Sequence, residues 1–392
     1  MIINSMLQTD LYKLSMQNFV LHKYADVEVE YEFNNRDKSM KYNEGAFAIL
    51  KNEIDKLKQL RLTNEEYDYI KSNITFLGPM YRQYLSNYRY NPKLIDMQLL
   101  NDGQLQLKIK GKWRECILFE VCVMALISEI YFKYCDTNWT FNEDEQIKLA
   151  EYKAKRLTDA GCIFSDFGTR RRRNSEIQDL CVKHMSKFSG FMGTSNPYLA
   201  MKYGVKCYGS VAHEVICAIS ALESMNHPNK YAMELWADVY KAQLGTYLPD
   251  TYGLESFFKD FDYEKATYWQ SLRHDSGCPF DFTDKVINHY NKLKIDPMLK
   301  TIIFSDSLDV DKAIKINDYC KGKIKCAFGI GTHLVSDFKT KTGSRSKPMN
   351  MVIKLVKCNG VNVCKLSCNP EKAIGHPDAV KMMNHIHFGL PL

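Results

Sequence analysis

The chain has 392 residues, of which 45% are hydrophobic and 12% aromatic, with 24 Tyr and 20 Phe. That is material for one large domain plus an accessory one, and it excludes a disordered or fibrous chain. The formal net charge is +7, yet 46 acidic residues are interspersed among 53 basic ones, which excludes a basic tail and leaves only a preference for anionic partners.

The segment ADVEVEYEF from Ala25 alternates Val27, Val29, Tyr31 and Phe33 with Glu28, Glu30 and Glu32, the period-two signature of a half-buried strand. LQLKIK from Leu105 repeats it, and residues 53–84 between them have a helical period. CILFEVCVMALISEIYF from Cys116 carries Glu120 and Glu129 and falls short of the roughly 20 clean residues of a spanning helix. It predicts a buried helix and no membrane segment. Residues 1–135 therefore read as an N-terminal α+β domain.

After Gly161 the pattern becomes a repeated unit of apolar run, turn and helix. CIFSDFG leads into a helix expected over 170–187. GFMGTSN leads into one with Asn196 as N-cap and Pro197 in the first turn. KCYGSVAHE, SLRHDSGCP, TIIFSDSLD and IKCAFGIGT follow. Six such units predict a parallel sheet, and their number favours a barrel over an open sheet. Residues 136–345 read as this α/β barrel. Residues 346–392 read as C-terminal strands and a tail returning to the N-terminal domain, with a hairpin at Asn359-Gly360.

All 13 cysteines follow Trp113, and the start MIINSMLQTD has no secretory pattern. Both features predict reduced thiols in a cytoplasmic protein. The spacing of Cys358, Cys364 and Cys368 does not suit paired zinc ligands.

Each glycine-, serine- or acid-rich cluster falls where a strand ends and a helix begins, the face of a barrel that carries active sites. In GTRRRR, Arg170 and Arg171 are the candidate carboxylate or phosphate ligands, while Arg172 and Arg173 are assigned to structural ion pairs or solvent. The setting of this block after a strand and a tight turn favours an anion pocket over a nucleic-acid patch. In FGIGT the glycines let backbone N–H groups approach a phosphate. In SDSLD, Asp306 and Asp309 suit a ribose diol or a Mg²⁺ ion, one of them doubling as a helix N-cap. RHDSG groups Arg273, His274, Asp275 and Ser276 in one turn. His213, near a helix N-terminus, is expected to be neutral and competent as nucleophile or base.

TDLYKLSMQ, WREC followed by ISE, DFGTRRR, GTSN, AHE, RHDSG, SDSLD, FGIGT and KPMNMVIKLV followed by NG and KLS resemble, in order and spacing, the nicotinate phosphoribosyltransferase family. The resemblance runs from Thr9 to about Pro377. It implies a type II phosphoribosyltransferase fold, an irregular α/β barrel with an N-terminal α+β domain. The implied assembly is a homodimer with shared active sites.

The implied reaction joins nicotinate to 5-phosphoribosyl 1-diphosphate with Mg²⁺, giving nicotinate mononucleotide and diphosphate for NAD biosynthesis. ATP hydrolysis is coupled through a phosphohistidine, with no nucleic acid or membrane partner. The resemblance places that phosphohistidine at His213, with Glu214, Arg273 and Asp275 as catalytic companions. It gives nicotinate to Tyr12, Phe167, Arg170, Arg171, Ser210 and Arg273. It gives the phosphoribosyl diphosphate to Thr194, Ser195, Asn196, Asp306, Asp309, Gly329, Gly331 and Thr332, with Asp275 and Asp306 as Mg²⁺ ligands.

The chain departs from the family pattern at Ser210, Cys278, Ser307 and His333. Two alternatives share the fold: a nicotinamide phosphoribosyltransferase, and a non-catalytic protein that binds the sugar diphosphate. Against the first, this chain has Ser195 where the nicotinamide-using branch has an acidic residue.

Overall fold

The computed structural model describes residues 1–241, 243–366 and 373–392; Cys368 lies outside them. The N-terminal part supplies β1 (Glu28–Asn35), β2 (Ile95–Leu99) and β3 (Leu105–Lys112). The expected helical stretch between them is three helices, Glu44–Lys56, Asn64–Asn73 and Pro79–Asn87. The breaks have local causes. Thr63 and Glu66 form a capping box that starts the second helix, and Pro79 occupies the first turn of the third.

The apolar run from Cys116 is buried as predicted, split into Trp113–Cys116 and Phe119–Tyr134. Its two charges are both used. Glu120 pairs with Lys13, and Glu129 accepts from the backbone N–H of Ser175 and lies 3.8 Å from Arg172.

The barrel part carries β4 (Phe164–Asp166), β5 (Phe191–Thr194), β6 (Lys206–Cys207), β7 (Thr246–Tyr247), β8 (Ser271–His274), β9 (Thr301–Phe304) and β10 (Lys325–Ile330). They form one sheet in the order β6-β5-β4-β10-β9-β8-β7, and every recorded pairing is parallel. The edge strands β6 and β7 do not pair with each other, yet residues of both line the same cavity. The sheet therefore curls into a barrel left open on one side, the irregular α/β barrel expected. Six of its strands are the six units read from the sequence. The seventh, β7, was not expected, because two residues in QLGTYLPD make no apolar run.

A short ribbon of β11 (Phe338–Lys339) and β12 (Arg345–Ser346) follows the barrel. β13 (Met351–Cys358) and β14 (Val361–Asn362) form the hairpin at Asn359-Gly360, both residues with positive φ, as the tight turn demands. β13 then pairs antiparallel with β1, completing a sheet of order β14-β13-β1-β3-β2. β15 (Cys364–Lys365) pairs with β16 (Ile374–Gly375) and brings Lys365 back over the barrel mouth.

The cysteines among the described residues are free thiols. Among the same residues, no helix is long and apolar enough to cross a membrane.

Candidate active site

The helix expected over 170–187 begins later. Residues Thr169–Arg171 form one 3-10 turn, Arg172 is extended, and the helix Ser175–Met185 starts at the N-cap Asn174, whose side chain accepts from Ile177 N. The arginines therefore spread along an irregular segment instead of around a helix. Arg172 and Arg173 are buried, not solvated. Arg172 donates to Gln178 at 3.3 Å. Arg173 stacks over the Phe132 ring at 3.7 Å and donates to Ser346 Oγ at 3.1 Å.

Arg170 faces a cleft of about 410 Å³ at the mouth of the barrel, with Tyr12, Phe167, Ser195, Ser210, Arg273 and Gly329. Its guanidinium lies 3.2 Å from Glu120 and 3.7 Å from Asp10, with its carbon 5.8 Å from the centre of the Tyr12 ring. Arg171 lines neither this cleft nor its neighbour. Burial first, then Arg170 and Arg36, lower its pKa to about 10, with Asp275 and Asp306 as opposing charges.

Two glycines permit the wall to close. A Cβ on Gly329 would stand 2.3 Å from the Phe167 ring, and one on Gly209 would stand 2.5 Å from the backbone N of Tyr12. Tyr12 belongs to the helix Leu11–Lys23 of the same chain, so the cleft needs no second subunit to acquire its aromatic wall.

Behind the wall sits Asp166, buried, accepting from Gly168 N, Gln178 Nε2 and Thr194 Oγ1, each at 2.8 Å. Burial raises its pKa to about 6. Thr194 and Asn196 are fully buried, and Asn196 caps the helix Pro197–Tyr203 as expected. Their side chains are hydrogen-bonded within the protein and brace the wall. Ser195 does line the cleft and donates to Asp10 at 2.6 Å.

A second, smaller cavity of about 60 Å³ adjoins the first and shares Tyr12, Arg170 and Arg273 with it. Its other lining groups include Glu120, His213, Glu214, Asp275, Lys354 and Lys365. His213 is the first residue of the helix His213–Leu222. Its Nδ1 lies 2.9 Å from Thr251 Oγ1, and its Nε2 lies 2.7 Å from Lys365 Nζ and 3.2 Å from Asp275 Oδ2. Burial and then Lys365 lower its pKa to about 4, so the ring is neutral at physiological pH.

Asp275 also accepts from Arg273 at 2.8 Å and Ser305 at 3.1 Å. Burial pushes its pKa up, but Arg273, His213 and Lys365 outweigh burial and hold it well below the ordinary value. The carboxylate of Glu214 is occupied by Lys13, by Tyr31 at 2.6 Å and by Trp113 at 2.7 Å.

The remaining expected residues lie on the neighbouring strand ends. Asp309 is the N-cap of the helix Val310–Cys320, one of the two roles foreseen for this acidic pair. Asp306 is half-buried and accepts from Ser307 at 3.0 Å. Gly331 and Thr332 start the turn Thr332–Val335 and line neither cavity. His274 packs against Phe282 and Phe304 in the core. Cys278 is exposed at the N-cap position of the helix Pro279–Lys292.

Among the described residues no group of three or more His, Cys, Asp and Glu is placed to share a metal. A Mg²⁺ ion held mainly by substrate phosphates and water needs only one or two carboxylates. Asp306, half-buried and accepting from Ser307 through Oδ1, fits that need better than Asp275, whose two oxygens are engaged by Arg273, Ser305 and His213.

Sequence reasoning missed Lys365, Lys354, Asp250 and Lys13. Lys365 and Lys354 lay inside quoted motifs without a role. Asp250, which accepts from Lys365 at 3.2 Å, follows the strand that was not recognised.

Residues 162–391 match the nicotinate phosphoribosyltransferase (NAPRTase) family, and residues 7–128 match the N-terminal domain of that family. The chain is 42% identical to nicotinate phosphoribosyltransferase of Methanosarcina mazei, covering 98% of each protein. It is 37% identical to the Salmonella choleraesuis enzyme of the same name, covering 100% of this chain and 97% of the other. The crystal structure of nicotinate phosphoribosyltransferase from Porphyromonas gingivalis superimposes with a TM-score of 0.94 at 31% identity, over 99% of this chain and 100% of that one.

Proposed function

The chain belongs to the nicotinate phosphoribosyltransferase family, and on that premise we propose that its two adjoining cavities join nicotinate to 5-phosphoribosyl 1-diphosphate and couple the transfer to ATP hydrolysis through His213. The observation that carries this reading is the shared wall. Tyr12, Arg170 and Arg273 line both cavities, so one set of side chains stands between an aromatic-walled cleft and the imidazole.

In the larger cavity the pyridine ring stacks between Tyr12 and Phe167, and Arg170 takes the carboxylate. A carboxylate adds a charge pair to the face of that guanidinium not taken by Glu120 and Asp10, which an uncharged amide cannot, and this favours nicotinate over nicotinamide. The pyridine nitrogen attacks C1 of the ribose as diphosphate leaves, so positive charge builds on the sugar and negative charge on the leaving group. Fixed charges placed before reaction lower that barrier, and no protein nucleophile is needed for the transfer. Arg171, which lines neither cavity and has Asp275 and Asp306 as its opposing charges, is read as serving the phosphate side of the substrate more than nicotinate. Asp306 is the residue that would hold a Mg²⁺ ion brought with the substrate, and that ion would supply charge neutralisation at the leaving group.

His213 stands outside the transfer itself. As a neutral imidazole it accepts the γ-phosphoryl group of ATP, and the modified site then changes affinity for substrates and products, which is how hydrolysis drives the equilibrium. The test is mononucleotide formation from nicotinate and from nicotinamide under identical conditions. The reading expects product from nicotinate and little from nicotinamide; equal rates would remove the role given to Arg170.

A further inference from the structure

Among the described residues Lys365 is the nearest polar neighbour of the proposed phosphoryl acceptor, and it comes from β15, far in sequence from the helix that carries His213. Its Nζ lies 2.7 Å from His213 Nε2 and 3.2 Å from Asp250 Oδ2. Asp250, itself buried, also accepts from Ser276 Oγ at 2.5 Å. A lysine ammonium has donors and no acceptor. The 2.7 Å contact is therefore a hydrogen bond only if Nε2 presents its lone pair, whereas the longer contact of Nε2 with Asp275 Oδ2, at 3.2 Å, would need Nε2–H. Taking the shorter, charge-assisted contact as the one that is made puts the ring proton on Nδ1, where Thr251 Oγ1 at 2.9 Å accepts it.

Resting on the phosphohistidine reading above, we propose that Lys365 fixes the tautomer of His213, leaving Nε2 as the atom that takes the phosphoryl group, and then holds that group as its counter-ion. The lone pair that Lys365 engages is the one that must attack. Nζ releases it and turns to a phosphoryl oxygen, which on a phosphorus bound to Nε2 falls within the same reach, while Asp250 keeps the ammonium in place.

The step balances. Nε2 bonds to the γ-phosphorus, the bond from phosphorus to the bridging oxygen breaks, and ADP leaves with that electron pair. The Nδ1 proton stays on Thr251's side of the ring, and the ring's positive charge lies beside Asp275 and Asp250, whose oxygens are 3.2 and 3.6 Å from Nε2. Water later attacks the same phosphorus, Nε2 recovers its electron pair, and phosphate and a proton depart.

The test uses the full chain with γ-labelled ATP, scoring acid-labile, base-stable phosphoenzyme, together with ¹⁵N imidazole spectra in which the His213 signals are assigned from their loss in His213→Asn. We expect rapid labelling of the wild type and none of His213→Asn. Labelling of Lys365→Met should be slower by about 10- to 100-fold, the kinetic equivalent of losing one hydrogen bond to a charged group, and Lys365→Arg should recover much of it. The wild-type spectrum should show the Nδ1–H tautomer and the Lys365→Met spectrum a shift toward Nε2–H, a change that loss of packing alone would not produce.

Undiminished labelling of Lys365→Met, or an Nε2–H tautomer in the wild type, would overturn the proposal with the phosphohistidine reading intact. Absence of label on the wild type would instead remove that reading, and the tautomer spectra would still decide whether Lys365 controls the ring. If Lys365→Met does not fold, the wild-type spectrum and Lys365→Arg decide.

Discussion

Lys13, in the first helix, and Glu214, the residue after His213, form an ion pair in which both side chains are buried. Glu120 meets the same ammonium at 2.5 Å. The N-terminal domain thus grips the start of the helix His213–Leu222 by charge, and Tyr31 and Trp113 complete the grip. The pKa of Lys13 is set by burial, which lowers it, against Glu120 and Glu214, which raise it further than burial lowers it, so the ammonium persists.

Removing one partner of a buried ion pair strands the others. Lys13→Met should cost about 3–5 kcal/mol of stability, read as a lowered midpoint in urea unfolding. The double variant Lys13→Met with Glu214→Gln should recover part of that loss, because one uncompensated carboxylate is gone; strict additivity would contradict the coupling.

Arg170→Lys keeps the charge and loses the planar fork. The expected result is a KM for nicotinate raised roughly 10- to 100-fold, with a smaller effect on the KM for 5-phosphoribosyl 1-diphosphate. Arg173→Met should do the reverse, lowering thermal stability through lost stacking on Phe132 while leaving the nicotinate KM close to wild type. Steady-state kinetics of both variants check the division of labour among the four arginines.

Gly329→Ala places a methyl group where the Phe167 ring now lies, with 2.3 Å between them. The ring must move out of the cleft wall. We expect a loss of about 1–3 kcal/mol in stability and weakened nicotinate binding, measured by calorimetry. Unchanged binding would mean that Phe167 is not the stacking partner.

Lys354 lines the small cavity, and burial, helped by Lys365 and Arg170, lowers its pKa to about 8 against the pull of Glu120. It is charged below that value and neutral above it. Affinity for phosphate-bearing ligands should therefore fall as pH rises through about 8, and Lys354→Arg, charged throughout, should flatten this limb. Binding titrations from pH 7 to about 9.5 distinguish the two profiles.

The strand-turn-helix units were legible because six strands of the sheet lead into a glycine-, serine- or acid-rich turn cluster, with apolar residues in β4, β5, β9 and β10 adding to the signal. Asn196 and Asp309 were legible as caps for the same reason: their side chains precede a helical period. The arginine block was misread as helix because Arg has good helix propensity, although Asn174-Ser175-Glu176 already carried the cap signal that delays the helix to Ser175. Lys365 and Asp250 could not be placed by spacing. They reach His213 only because β15 returns over the barrel and β7 extends the sheet beside β8, relationships that tertiary structure creates.

The most direct measurement counts ADP released and nicotinate mononucleotide formed by the wild type and by His213→Asn, with Mg²⁺ and both substrates present. The account predicts about one ADP per mononucleotide in the wild type, as obligate coupling requires, and slow, ATP-indifferent transfer without ADP release in His213→Asn. ADP release by His213→Asn at the wild-type rate would contradict it, because hydrolysis would then run through a group other than this imidazole.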